Sequence, residues 1–207
     1  MSTTTEKTGF LGKITGFFLF KGKVIKEVTE STGASVQAFI LIFLNIILTT
    51  LLRTISYFQT QDESLLGFGY FVLDINDVTD TNLIINGLIS AFLSTVLFTF
   101  FIAIIMAFSA NNLGGHSSMM EATRIIAFST PILIIGSLIT YLVALANITG
   151  IGWLYLLFLV WYLLIFFVAF KIGSDLSYVK TFLALILSSV LSVLVLEVLL
   201  VVVVALT

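Results

Sequence analysis

A chain of 207 residues that is 59% hydrophobic and only 10% charged has too few polar side chains to clothe a water-soluble fold, so its solvent is a lipid bilayer. Nine Lys and Arg against eleven Asp and Glu leave a net charge of −2, with no basic surplus to suggest nucleic acid. The absence of cysteine excludes disulfides, thiolate metal sites and palmitoyl or prenyl anchors.

The first predicted unit is a lead-in over residues 1–34. Phe10, Leu11, Ile14, Phe17 and Phe18, then Val24, Ile25 and Val28, recur at helical spacing, with Lys13, Lys23 and Lys26 largely off that face. This reads as an amphipathic segment in the inner headgroup layer, its lysines drawn to anionic lipid, and the alternative is a segment folded against the ends of the spans. Gly9, Gly12, Gly16 and Gly22 lower helix propensity, so two short helices broken near Lys21-Gly22-Lys23 compete with one. Dispersed lysines and no small-residue cleavage site argue against a removable signal peptide.

Residues 35–207 form the predicted membrane domain, an all-α bundle of five transmembrane helices. Ser31 to Leu52 is a run of 22 uncharged residues, enough for a first span at about 35–53. The long connection after Arg53 holds an apolar patch, Leu65 to Leu73, too short to cross, and then Asp74, Asp77 and Asp80, which read as a solvated acidic face. The second span is placed at about 83–108. The 46 uncharged residues from Ile125 to Phe170 divide at the turn Asn147 to Gly152 into spans at about 125–146 and 151–170, and the fifth is at about 181–206. The glycan-acceptor triplet Asn147-Ile148-Thr149 lies in so tight a turn that no modification is expected. With the N-terminus inside, eight of the nine basic residues fall on the inner side, so the N-terminus is expected in the cytoplasm and the C-terminus outside. Trp153 and Tyr155 fit the outer aromatic belt, whereas Trp161 is deep enough to pack.

The catalytic inventory is thin. His116 is the sole histidine, no paired acids sit within the spans, and neither a nucleophile elbow nor a phosphate-cradling loop is present, so no enzyme, metal or cofactor is expected. Glu197 is the one ionisable residue well inside an apolar run, and a carboxylate there costs about 2.5 to 3.5 kcal/mol, so it is expected to turn inward and pair with Arg53 or hydrogen-bond Asn45 or Thr50. Gly87, Ala91, Thr95, Thr99, Ala103 and Ala107 recur every fourth residue, a ridge of small side chains for close helix packing within the bundle or, second, along a homodimer seam. Between spans 2 and 3, Gly114 and Gly115 permit a sharp turn, Glu121 and Arg124 are spaced for mutual contact on a helix, and Pro131 predicts a kink with Ser129 and Thr130 at hand for the freed carbonyl. This loop and kink read equally as a plain connection or as a partner-binding hinge.

At these residues the chain resembles the Yip family, five-span integral membrane proteins named for interaction with Ypt/Rab GTPases. The resemblance rests on Gly114-Gly115, Met119 to Arg124 and Pro131, on the lead-in Gly9-Phe-Leu-Gly-Lys-Ile-Thr-Gly-Phe-Phe-Leu19 with Val24 to Glu30, similar to prokaryotic members, and on span count and orientation. Two departures stand out: Lys21-Gly22-Lys23 replaces a lead-in proline, and about 35 residues precede span 1 where eukaryotic Golgi members carry a long cytoplasmic domain. The resemblance implies a non-enzymatic scaffold or adaptor that organises membrane partners or membrane shape, linked to trafficking, with protein partners, a small GTPase among the candidates, or self-association. The rival is a small transporter or channel subunit, with Asn45, Asn86, the span-2 hydroxyls and Glu197 lining a water-filled path.

Overall fold

The computed structural model describes residues 8–60, 80–145 and 152–206. Among the described residues the chain forms eight helices and no strand: α1 (Phe10–Phe18), α2 (Gly22–Glu30), α3 (Gly33–Thr60), α4 (Asp80–Asn112), α5 (Met119–Ser129), α6 (Pro131–Leu145), α7 (Gly152–Gly173) and α8 (Tyr178–Leu206). Five stretches are long and apolar enough to cross a bilayer: Gly33–Leu52, Phe92–Asn112, Met119–Val143, Leu156–Gly173 and Tyr178–Val198. The all-helical, five-span reading of the sequence is thus what the structure shows. The helices run a few residues past the hydropathy-based spans, since backbone hydrogen bonding does not stop at the edge of the apolar run. The Leu65 to Leu73 patch, the acids Asp74 and Asp77 and the Asn147 turn lie outside the described residues.

The bundle is apolar outside as well as in its core, and several hydroxyls are turned inward. Phe39, Phe43, Leu97, Leu157, Leu164 and Val193 are exposed, whereas Thr50, Thr99, Ser109, Ser188 and Ser192 are buried, the polarity that a hydrocarbon solvent selects. In α8 the buried hydroxyls turn back one helical turn: Ser188 Oγ donates to the Ala184 carbonyl at 2.7 Å and Ser192 Oγ to that of Ser188 at 2.7 Å. A hydroxyl satisfied by its own helix needs no water.

The core is organised around α5, which packs against α1, α2, α3, α4 and α7. Ala122, Thr123, Arg124, Ile125, Ala127, Phe128 and Ser129 are all buried, so nearly every face of this helix meets protein. The following residue, Thr130, keeps right-handed helical angles (φ −60°, ψ −36°), and Pro131 opens α6 directly. Ser129 Oγ donates to the Ile125 carbonyl (2.7 Å) and Thr130 Oγ1 to that of Ile126 (2.7 Å), so neither hydroxyl takes the carbonyl of residue 127 that the proline frees.

The lead-in forms two helices, not one, and folds back onto the bundle. The break comes at Leu19 to Lys21, with Phe20 at a positive φ of 52°. Phe17, Ile25 and Val28 are fully buried. The Phe17 and Phe10 rings lie 5.4 and 6.4 Å from that of Phe128 in α5, and the Phe20 ring lies 5.2 Å from Trp161 in α7. The aromatic rings of the lead-in thus find partners in α5 and α7.

Candidate functional site

The end of the bundle that holds most of the basic residues also holds the polar side chains with defined geometry. Three segments meet there: the lead-in, the α4–α5 loop and the α7–α8 turn.

The loop is built by its own side chains. Gly114 takes a φ of 82°, which glycine tolerates without strain, and its N–H reaches the Asn111 carbonyl at 3.2 Å. Asn111 then clamps the far side: its Nδ2 donates to the Ser117 carbonyl (3.0 Å) and its Oδ1 accepts from the Ser117 N–H (2.9 Å). His116 N–H donates to the Ser174 carbonyl at 3.0 Å, which ties the loop to the α7–α8 turn. A Cβ on Gly115 would lie 2.6 Å from that same carbonyl oxygen, so backbone would have to move. Gly115→Ala is expected to cost about 1 to 3 kcal/mol of stability, read from unfolding of the detergent-purified protein. Gly9→Ala, with nothing within 4 Å of its new methyl group, is the control.

Sequence spacing paired Glu121 with Arg124, but the structure gives each its own partners. Ser118 N-caps α5, accepting from the Glu121 N–H at 3.2 Å, while the Glu121 carboxylate accepts from the Ser118 N–H at 2.7 Å. This reciprocal cap was legible as Ser118-Met-Met-Glu121 ahead of an apolar run and was missed. Arg124, only 6% exposed, reaches across the bundle: Nε donates to Ser35 Oγ at 3.0 Å and Nη1 to the Thr29 carbonyl. That carbonyl is in the last turn of α2, where carbonyls lack helical partners and the helix dipole favours a cation. One guanidinium therefore joins α2, α3 and α5.

A second clasp joins α1, α2 and α3. Lys13, placed off the apolar face by its spacing, has a side chain only 8% exposed, with Nζ 3.5 Å from Glu27 Oε1. It also donates to Gln37 Oε1 at 3.3 Å, and Thr8 Oγ1 donates to the other Glu27 oxygen at 2.8 Å. No local sequence signal marks this arrangement, because its members are brought together only when α1 folds onto α2.

Beside these clasps an open cleft of about 560 Å³ is lined by Glu30, Glu121 and Asp175 with His116, Asn111 and Ser118. Among the described residues no group of three or more His, Cys, Asp or Glu side chains is arranged to hold a metal ion.

The remaining sequence-derived candidates are distributed. On α4, Thr95 is half-buried and Thr99, Ala103 and Ala107 are buried, while the side chains of Gly87 and Ala91 lie outside the described residues. α4 packs against α3, α5 and α8. Glu197 is exposed, where the sequence reading turned it inward, and it lies nine residues, or about two and a half turns, beyond buried Ser188, on the opposite side of α8. The Arg53 side chain is outside the described residues, and so is any pair it makes with Glu197.

Comparison with known families decides the relationship: the Yip1 domain model matches residues 16–200, nearly the whole bundle together with α2 and the last turn of α1. The chain belongs to the Yip1 domain family. No curated protein and no solved structure matches it. For this Yip protein, five apolar helices and the domain match together establish a multi-pass integral membrane protein. The match includes Arg124 with its partners Thr29 and Ser35, and of the second clasp Glu27 and Gln37 but not Lys13.

Proposed function

We propose that this Yip protein is a non-enzymatic membrane scaffold or adaptor, which organises membrane partners or membrane shape in trafficking. The observation that carries this reading is the use made of its polar side chains. Lys13, Glu27, Asn111, Glu121 and Arg124 are engaged in fastening helices and loops to one another. What they support is a structured platform at one end of five spans, with an open acidic cleft on it. Such a surface suits contact with protein partners, a small GTPase being one candidate. The distribution of Lys and Arg supports a cytoplasmic platform with the C-terminus outside.

Two measurements test the reading. Reporters fused ahead of Met1 and after Thr207 are expected on opposite sides of the membrane, and a shared compartment would overturn the topology. The chain has no cysteine, so Asn45→Cys, Thr95→Cys and Thr99→Cys can each be probed in intact vesicles with a membrane-impermeant thiol reagent. Protection at all three is expected for a scaffold, and labelling at all three would support a solvated transport path instead.

A further inference from the structure

α1 is apolar on both faces, with Phe17 buried and Leu11 exposed, and its one charged side chain lies on the buried face. Its single lysine, Lys13, is buried, paired with the Glu27 carboxylate and hydrogen-bonded to Gln37, while Leu11 is 74% exposed and Leu19, just past its end, is 62% exposed. Thr15, on the same outward face, does not leave its hydroxyl to solvent: Oγ1 donates to the Gly12 carbonyl at 3.1 Å. Water would select the opposite arrangement, leucines inside and the ammonium outside. Hydrocarbon selects this one, because an ionised group there must find protein partners and an isolated hydroxyl returns to its own backbone.

The neighbourhood of α1 agrees. Its rings rest on Phe128, nine residues and about 14 Å along the third candidate span from Met119, so α1 lies beside a spanning segment and not beyond its end. Through Phe20 against Trp161 its surface continues into the exposed apolar face of α7, at Val160, Trp161 and Leu164. α2 has the ordinary polarity: Lys23, Lys26 and Glu30 are exposed, with Lys26 and Glu30 paired at 3.6 Å, and Ile25 and Val28 are buried. The change from lipid-type to water-type surface therefore falls between α1 and α2, with exposed Lys21 at the turn, long enough to snorkel.

We propose that α1 is immersed among the acyl chains of a single leaflet, the one at the basic end of the bundle, as a wedge fixed to the spans, and that α2 lies at that leaflet's headgroup boundary. The occupant of the Leu11, Thr15 and Leu19 face is lipid hydrocarbon. Insertion of helix volume into one leaflet and not the other is a device for sensing or imposing curvature, so the inference deepens the membrane-shape side of the proposed function. It does not depend on any partner: capture or non-capture of a protein leaves the position of α1 unchanged.

The test is site-directed spin labelling of the full chain in vesicles of phosphatidylcholine and phosphatidylglycerol. Leu11→Cys, Thr15→Cys and Leu19→Cys alter exposed positions, and correct folding is checked by size-exclusion behaviour before reconstitution. Labels at 11, 15 and 19 are expected to collide several-fold more with oxygen, which concentrates in hydrocarbon, than with a water-soluble nickel complex, and labels at Lys23→Cys and Lys26→Cys are expected to show the reverse. Preferential collision with nickel at 11 and 19 would place α1 in water and overturn the proposal. Screening of both positions from both reagents would mean a second copy or another protein covers the face, and would overturn it equally. If one variant misfolds, position 15 reads the same face.

Discussion

Replacing Arg124 with methionine is expected to lower the unfolding free energy of the detergent-extracted protein by about 2 to 3 kcal/mol, the range for a buried hydrogen bond to a charged group. The loss falls on three helices at once. Methionine fills similar space yet leaves the Thr29 carbonyl at the end of α2 without its donor and Ser35 Oγ in α3 without its partner. Lysine will not restore the wild-type value, because a single ammonium cannot reproduce donation from two separate guanidinium nitrogens in fixed geometry. The midpoint of denaturant- or heat-induced unfolding, followed by circular dichroism, reads the effect. A methionine variant within about 0.5 kcal/mol of wild type, the level of an ordinary surface change, would remove the clasp from the account of stability.

Glu27→Gln is expected to be more harmful than Lys13→Met, although both break the same ion pair. Without the Glu27 carboxylate, the Lys13 ammonium stays at 8% exposure with only neutral amide oxygens beside it, and a buried charge without a counter-charge costs about 2 to 4 kcal/mol. Without Lys13, Glu27 keeps its Thr8 hydrogen bond and a side chain 31% exposed, so the loss should stay under about 1 kcal/mol. The double variant should be more stable than Glu27→Gln alone, since the stranded charge is gone. Equal and additive losses from the two single variants would show that Lys13 is not held by this carboxylate. The same comparison bears on α1: if its lysine is released toward the lipid or the headgroups, α1 should lose protection from proteolysis before the spans do.

Much of the fold was legible because hydrocarbon imposes a simple requirement. Runs of about 20 apolar residues must be helices with all backbone groups paired internally, so span number and helical class follow from counting. The loop between spans 2 and 3 was legible in part for a local reason: Gly114 at positive φ needs no Cβ, and the Ser118-x-x-Glu121 cap closes over three residues. Glu121 and Arg124 feel each other's charge without forming a direct ion pair, for a reason equally local in origin. Spacing of three on a helix permits a pair but does not require it, and each residue had a better partner, Glu121 in its own N-cap and Arg124 some 90 residues away at Thr29 and Ser35. Lys13 was misplaced because helical periodicity assigns a face without saying which solvent that face meets.

What the sequence determined by itself is therefore the solvent, the five spans and the family-level pattern, all of which rest on composition and on interactions within a few residues. The tertiary structure alone decided where the charges end. Whether Lys13 lies outside or inside, whether Arg124 pairs with a neighbour or spans three helices, and whether α1 shows leucine or lysine outward depend on which helices come to lie side by side, since the energy of a buried charge is set by the groups that surround it in space and not by those that flank it in the chain.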